Sequence, residues 1–411
     1  MRDAETILAK AVAEAGDRIR AALAMRFRDL DMAEEAFAFA AMRAVETWRR
    51  DGSPRDPAAW LYAVGRRRAF DLGRRARVRN AAVHDAPAPE PDPETLVMAA
   101  FEPIPDERLR LIFVCCHPAL APEARIALTL RTLYGLSVAR IARAFLTTEA
   151  AMGQRLTRAK GKIREARIRF EIPEPEAWGE RLTAVLATLE IAYAQAYEDA
   201  AGATDAAELA AETMRLSGLL AELLPDEPEV LGLAALIRLT ESRRPARMDD
   251  AGMMIPLGEQ DVGLWDAGLI AEAADLMRRA AEIGRSGPYQ LMAAIHVTHA
   301  ARRDSDATAW GNIVALYDAL LTVRPSAVIA VNRAVAVAEA RGPEAGLAAL
   351  AAVEGGERLA DWLPYQAARA GIFAMAGREA EAAQALNVAI ALNPAPAERL
   401  WLERRLAQLQ G

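Results

Sequence analysis

Residues 135–164 read GLSVARIARAFLTTEAAMGQRLTRAKGKIR, and the spacing within them decides the fold class of this part of the chain. Val138, Ile141, Ala142 and Phe145 recur at steps of three and four, which predicts a short helix with one apolar face. Leu146, Thr147 and Thr148 interrupt the pattern. A threonine hydroxyl accepts the free N–H groups at a helix start, so Thr147 or Thr148 is expected to cap a second helix. In that helix Leu156, Ala159 and Ile163 face inward, and the remaining face offers Glu149, Met152, Arg155, Arg158, Lys160 and Lys162. Residues 136–170 hold nine Lys and Arg against two Asp and Glu. Two short helices joined by a turn, the second one cationic, suit a DNA major groove in shape and in charge.

Working outward, 411 residues exceed one ordinary core and imply two to four units. With 53% hydrophobic and 26% charged residues, abundant alanine and little strand-type alternation, the expected fold class is all-α. No apolar run approaches the ~18 residues of a membrane span, which argues against a membrane partner. The first 23 residues mix acidic and basic side chains without a continuous apolar segment, unlike a signal peptide. The adjacent pair Cys115 and Cys116 cannot build a disulfide framework, so a cytoplasmic location is expected. The net charge of −7 is unevenly spread. Residues 1–170 carry 30 basic and 22 acidic side chains, net +8, and residues 171–411 carry 20 and 35, net −15. The first part can approach a polyanion and the second is repelled by one.

Residues 1–80 read as three or four helices. Residues 81–105, rich in Ala, Pro and acid, read as a linker. Residues 106–172 form a second small helical unit, closed by Pro173 and Pro175. From 178 to 411 amphipathic helices alternate with Pro and Gly. There Ala370, Phe373, Gly377, Ala382, Leu386, Ala389 and Pro394 follow the spacing of a tetratricopeptide (TPR) unit, and Tyr317, Leu320 and Pro325 repeat its end. A generic helical array is the alternative.

Two further stretches carry binding chemistry. In Leu30–Trp48 the residues Ala33, Phe37, Ala41 or Ala44, and Trp48 share a core-facing stripe. Phe39 and Met42 then point outward beside Glu35 and Ala38, which suggests a partner surface or packing on another helix of the unit. Between Arg49 and Arg79 lie ten Arg and three Asp, interleaved with Trp60, Tyr62 and Phe70. Arginine neutralises phosphates and aromatic rings stack on unpaired bases, so the clusters Arg66, Arg67, Arg68 and Arg74, Arg75 suit single-stranded DNA. A solvated charged face is the alternative. Leu61, Val64 and Phe70 read as core, and Trp60 reads equally well as core or as a base contact.

Cys115-Cys116-His117 lacks a second ligand cluster, and His296 and His299 lack a carboxylate partner, so no metal site is expected. No phosphate-binding loop, dinucleotide fingerprint or nucleophile elbow is present. An enzyme is not expected, and neither catalytic residues nor cofactors are assigned.

Taken together, DLDMAEEAF, VETWRRDGSPRDPAAWLYAVGRRRAFDLGRR and the stretch from IPDERLRLIFVCCHPAL to LTRAKGKIREARI resemble an extracytoplasmic-function (ECF) sigma factor of bacterial RNA polymerase. GPYQLMAAIHVTHA, IVALYDALL and VNRAVAVAEARGPEAGLAAL resemble the C-terminal extension of the TPR-bearing subgroup. The resemblance implies that region 2 docks on the polymerase β′ clamp helices through Glu34, Glu35, Ala38, Phe39 and Met42. Trp60, Arg66, Arg67, Arg68, Arg74 and Arg75 would then hold the −10 element. Region 4 would grip the β flap and read the −35 element with Thr148, Glu149, Met152, Arg155, Arg158 and Lys160. The TPR-like part would regulate activity or bind a protein partner. The chain departs from the family at Ala38 and Phe39, where a polar pair is usual, and at Arg67, where Asn is usual. Those departures leave two other readings: a sigma-like regulator that does not initiate transcription, and a stand-alone helix-turn-helix repressor.

Overall fold

Helices form wherever the apolar period of three to four is sustained, and caps or prolines set their ends. The computed structural model describes residues 2–80, 107–145, 147–170, 178–198, 204–303, 305, 307–353 and 359–410. The linker read at 81–105 lies outside the described residues. Contacts divide the chain into two units, Met1–Ala192 and Tyr193–Gly411.

The first unit opens with α1 (Arg2–Phe27), α2 (Leu30–Asp51) and α3 (Pro57–Asn80), which pack on one another. The Asp29 carboxylate accepts the Met32 N–H at 3.0 Å and so caps α2, and Asp56 accepts the Ala59 N–H at 2.9 Å at the start of α3. The buried stripe of α2 is Leu30, Ala33, Ala36, Phe37, Ala40, Ala44 and Trp48. Alanines on this stripe let α3 approach closely. A Cβ at Gly65 would stand 3.1 Å from the Leu23 side chain, so a larger residue there would require Leu23 to shift.

The unit continues with α4 (Arg108–Cys115), α5 (Pro122–Thr132), α6 (Val138–Ala144), α7 (Glu149–Glu165) and the start of α8 (Trp178–Glu198). Helix α4 packs on α1 and α5, with Leu111, Ile112, Phe113, Cys115 and Cys116 almost fully buried. Both thiols are therefore core side chains. Cys115 Sγ lies 3.3 Å from Thr132 Oγ1, and Cys116 Sγ lies 3.8 Å from the hydroxyls of Thr129 and Thr188. Burial pushes the Cys115 thiol up to about 12 and the Cys116 thiol up to about 11. Iodoacetamide at neutral pH should therefore leave both unmodified in the folded chain and modify both in denaturant. Because folding raises these pKa values, their contribution to stability is complete below the unfolded thiol pKa. It falls as pH rises toward 11–12.

The second unit holds α9 (Thr204–Leu223), α10 (Pro228–Glu241), α11 (Ala267–Ile283), α12 (Pro288–Ala300), α13 (Trp310–Val323) and α14 (Ala327–Arg341). It ends with α15 (Pro343–Ala351), α16 (Leu363–Met375), α17 (Glu379–Ala391) and α18 (Pro396–Gln410). Most of these helices pack on their neighbours in sequence, while α12 packs chiefly on α10. Ala370, Phe373, Ala382, Leu386 and Ala389 are all buried, and Gly377 turns α16 into α17 with φ 68°. One long stretch departs from simple helical alternation. Between α10 and α11, residues 242–266 form three 3-10 turns instead of a helix. Side chains satisfy their backbone: Gln260 Nε2 donates to the Ile255 carbonyl at 3.0 Å, and Arg302 Nη1 donates to the Leu257 carbonyl at 2.9 Å.

The fold is all-α. Among the described residues the regular elements are helices, with a single isolated β-bridge between Met248 and Met254. Among them, no helix is long and apolar enough to cross a membrane.

Candidate nucleic-acid interface

Helix α7 is placed by its cap and its apolar stripe. The cap is Thr148, whose hydroxyl accepts the Ala151 N–H at 3.2 Å. The buried residues are Met152, Leu156, Ala159 and Ile163. Met152 was expected on the outward face, and this corrects it. Its side chain is 0% exposed, because four residues before Leu156 is the same side of a helix. The exposed face instead carries Glu149, Gln154, Thr157, Arg158, Lys162 and Arg164. The sequence reading missed Gln154 and Thr157 because it weighed charge, although both fall off the apolar stripe.

Arg155 is half-buried. It pairs with Glu123 of α5 at 3.0 Å and lies 5.8 Å from the Phe145 ring centre. A hollow of about 360 Å³ opens between the start of α5 and α7, lined by Glu123, Arg155, Arg158 and Lys162.

Lys160 is a second correction. It does not stand free for a DNA contact. Only 12% of its side chain is exposed, and its Nζ lies 3.0 Å from Asp31 Oδ1 and 2.8 Å from Glu34 Oε2, both on α2. Arg164, one turn later, lies 3.3 Å from Asp31, and Arg131 of α5 lies 3.8 Å from Glu34. Burial lowers the Lys160 pKa, but the Glu34 and Asp31 carboxylates outweigh it and the net shift is upward. The residue expected to meet phosphate and the residue expected to meet polymerase thus neutralise each other.

On α3, Trp60 is half-buried with its ring edge-on to Trp48, at 5.4 Å between centres. Arg66 lies 5.9 Å from the Tyr62 ring centre and Arg67 is half-buried. Arg68 donates to Glu35 at 2.8 Å and lies 4.8 Å over the Phe39 ring. Phe39 is thereby partly covered, whereas the sequence placed it outward. Ala38 and Met42 are exposed, as expected of an outward face. Arg74 is exposed and 3.5 Å from Asp71. The side chain of Arg75 lies outside the described residues. Phe70, read as core, is 53% exposed, with the Phe27 ring at 5.0 Å and the Arg26 guanidinium at 5.8 Å. The long arginine stems around it cover apolar surface that a buried ring would otherwise fill. Val64 is half-buried and Leu61 fully buried.

Residues 110–163, from α4 through α7, match the family "Sigma-70, region 4". This segment of the chain is similar to sigma-70 region 4. The matched segment contains every α7 residue described above except Arg164. The match supports a sigma-factor-like, DNA-binding character for this segment. Residues 181–281 match a family of unknown function, DUF6596. A relative in Rhizobium meliloti (strain 1021), "Uncharacterized protein R00370", is 41% identical over 403 residues, covering 97% of this chain and 95% of the relative. No solved structure matches the chain.

Proposed function

We propose that this chain is an ECF-type sigma factor that directs promoter-specific transcription initiation and carries a TPR-like C-terminal regulator. In this reading α2 docks on the polymerase β′ clamp helices. Helix α3, with Arg74 and the exposed ring of Phe70, holds the unpaired −10 strand, and α7 reads the −35 element. The observation that supports it most is the exposed polar and cationic face of α7, Gln154, Thr157, Arg158 and Lys162, within the segment matched to sigma-70 region 4. Polar side chains on an outward helix face can reach base edges, and the cations neutralise phosphates.

The α2–α7 ion pairs add a step. Lys160 and Glu34 occupy one another, so α2 and α7 must separate before each can meet its own partner. The binding of core polymerase supplies the free energy for that separation.

The test is run-off transcription with core RNA polymerase from promoters selected by the chain. Arg158→Ala should reduce promoter-specific transcripts about tenfold, the effect of losing about one charge-assisted contact. Stable core binding with promoter-specific transcripts supports the reading. Failure to bind core polymerase, with DNA binding retained, would replace it with a helix-turn-helix repressor. The exposed apolar Ala38 gives a sigma-like regulator without initiation its own footing, and absence of both core and DNA binding would select it.

A further inference from the structure

Within the unit Tyr193–Gly411, a cavity of about 490 Å³ lies among α13, α14, α16, α17 and α18 and the 3-10 turn Leu257–Glu259. That volume is in the range of small-molecule sites and is small for a protein interface. Its walls are apolar and aromatic, with Trp310, Ile313, Val335, Ile372, Leu386 and Trp401. His299 and Tyr317 supply polar atoms to the same lining.

The surroundings of these two groups are unusual. His299 is 8% exposed, stands edge-on to Trp310 at 5.4 Å, and has no hydrogen-bond partner at Nδ1. Close to both is Arg243, 6% exposed, whose Nε is also without a partner. The groups around Arg243 are Tyr197, Tyr193, Arg247 and Tyr317, with His296 and His299 also within range of its charge. Among the described residues no carboxylate pairs with it. The nearby Glu241 is already committed to Arg244 and Tyr193. Burial, then the charges of Arg243 and Arg302, hold His299 down to about 4, so it is a neutral donor at physiological pH. Arg243 does not itself line the cavity, but its charge reaches His299 and Tyr317, which do. A buried guanidinium without a counter-charge is costly, and an anion held at those two groups offsets part of that cost.

We propose that this cavity binds a small amphipathic carboxylate, its apolar body against the aromatic walls and its head at His299 and Tyr317, opposite the charge of Arg243. A single negative charge fits better than a phosphate dianion, because Glu259 and Glu339 in the lining offset the charges of Arg302 and Arg405 there. Arg302 is already spent on the carbonyls of Leu257, Gly258 and Gln260. The site does not depend on the transcription reading, since it lies wholly in the second unit.

The experiment titrates the full chain with decanoate and with 4-phenylbutyrate, following tryptophan fluorescence and heat. At least one acid should bind saturably at one site, at least tenfold more tightly than its alcohol counterpart, with inorganic phosphate not competing. Arg243→Met and His299→Leu should each weaken it at least tenfold. Because those variants disturb buried groups, Gly371→Leu provides the second arm. Gly371 lines the cavity and a Cβ there meets nothing within 4 Å, so leucine can be placed without a clash; it should occupy part of the cavity and weaken binding at least tenfold. Binding by neither acid, equal binding of acid and alcohol, or full binding in Gly371→Leu would overturn the proposal.

Discussion

Replacing Asp31 by Asn and Glu34 by Gln together should open the contact between α2 and α7. Lys160 Nζ sits within 3.0 Å of both carboxylates and is only 12% exposed, so these pairs are screened less than surface ones. Charge-assisted hydrogen bonds of this kind contribute about 1.5–3 kcal/mol. Their loss should shift the closed-to-open equilibrium about 10- to 100-fold. Fluorophores on Ala38→Cys and Glu165→Cys would report it, because the two native thiols are buried and do not compete for label. The labelled positions should move apart in the double variant. In the parent they should do so partially as salt rises from about 0.05 to about 0.5 M. An unchanged distance under both conditions would remove the requirement for separation.

Met152→Asp should unfold the helix-turn-helix. The side chain is 0% exposed on the inward stripe of α7, and a carboxylate there is either buried ionised or protonated at a cost. The expected loss is about 3–5 kcal/mol, seen as faster amide exchange along α7 and a lower melting temperature. Met152→Leu keeps volume and polarity and should cost less than about 1.5 kcal/mol. The pair separates a core role from a base contact. If Met152 touched a base, both variants would change DNA affinity while leaving amide exchange unaltered.

Much of this architecture is legible in the sequence. The stripe Leu156, Ala159, Ile163, the Thr148 cap and the buried set Ala370, Phe373, Ala382, Leu386 and Ala389 follow from local periodicity, which any short window contains. Met152 escaped because the stripe was begun one turn late, and methionine is common on partner surfaces as well as in cores. Phe70 escaped because a run of arginines has no polar and apolar period to set the phase of α3. The pairing of Lys160 with Glu34 spans 126 residues, and charge complementarity at that separation leaves no trace in local spacing. The cluster of Arg243, His299 and Tyr317 is similarly assembled from three separate segments.

The sharing of carboxylates between Lys160, Arg164 and Arg131 has an evolutionary corollary. Position 160 cannot drift toward a new DNA preference without altering how firmly α7 is held to α2. Position 34 cannot adapt to a different polymerase surface without disturbing Lys160 and Arg131. Under the proposed function, promoter choice and polymerase docking are thereby coupled, so diversification of such chains should proceed by paired exchanges across this contact.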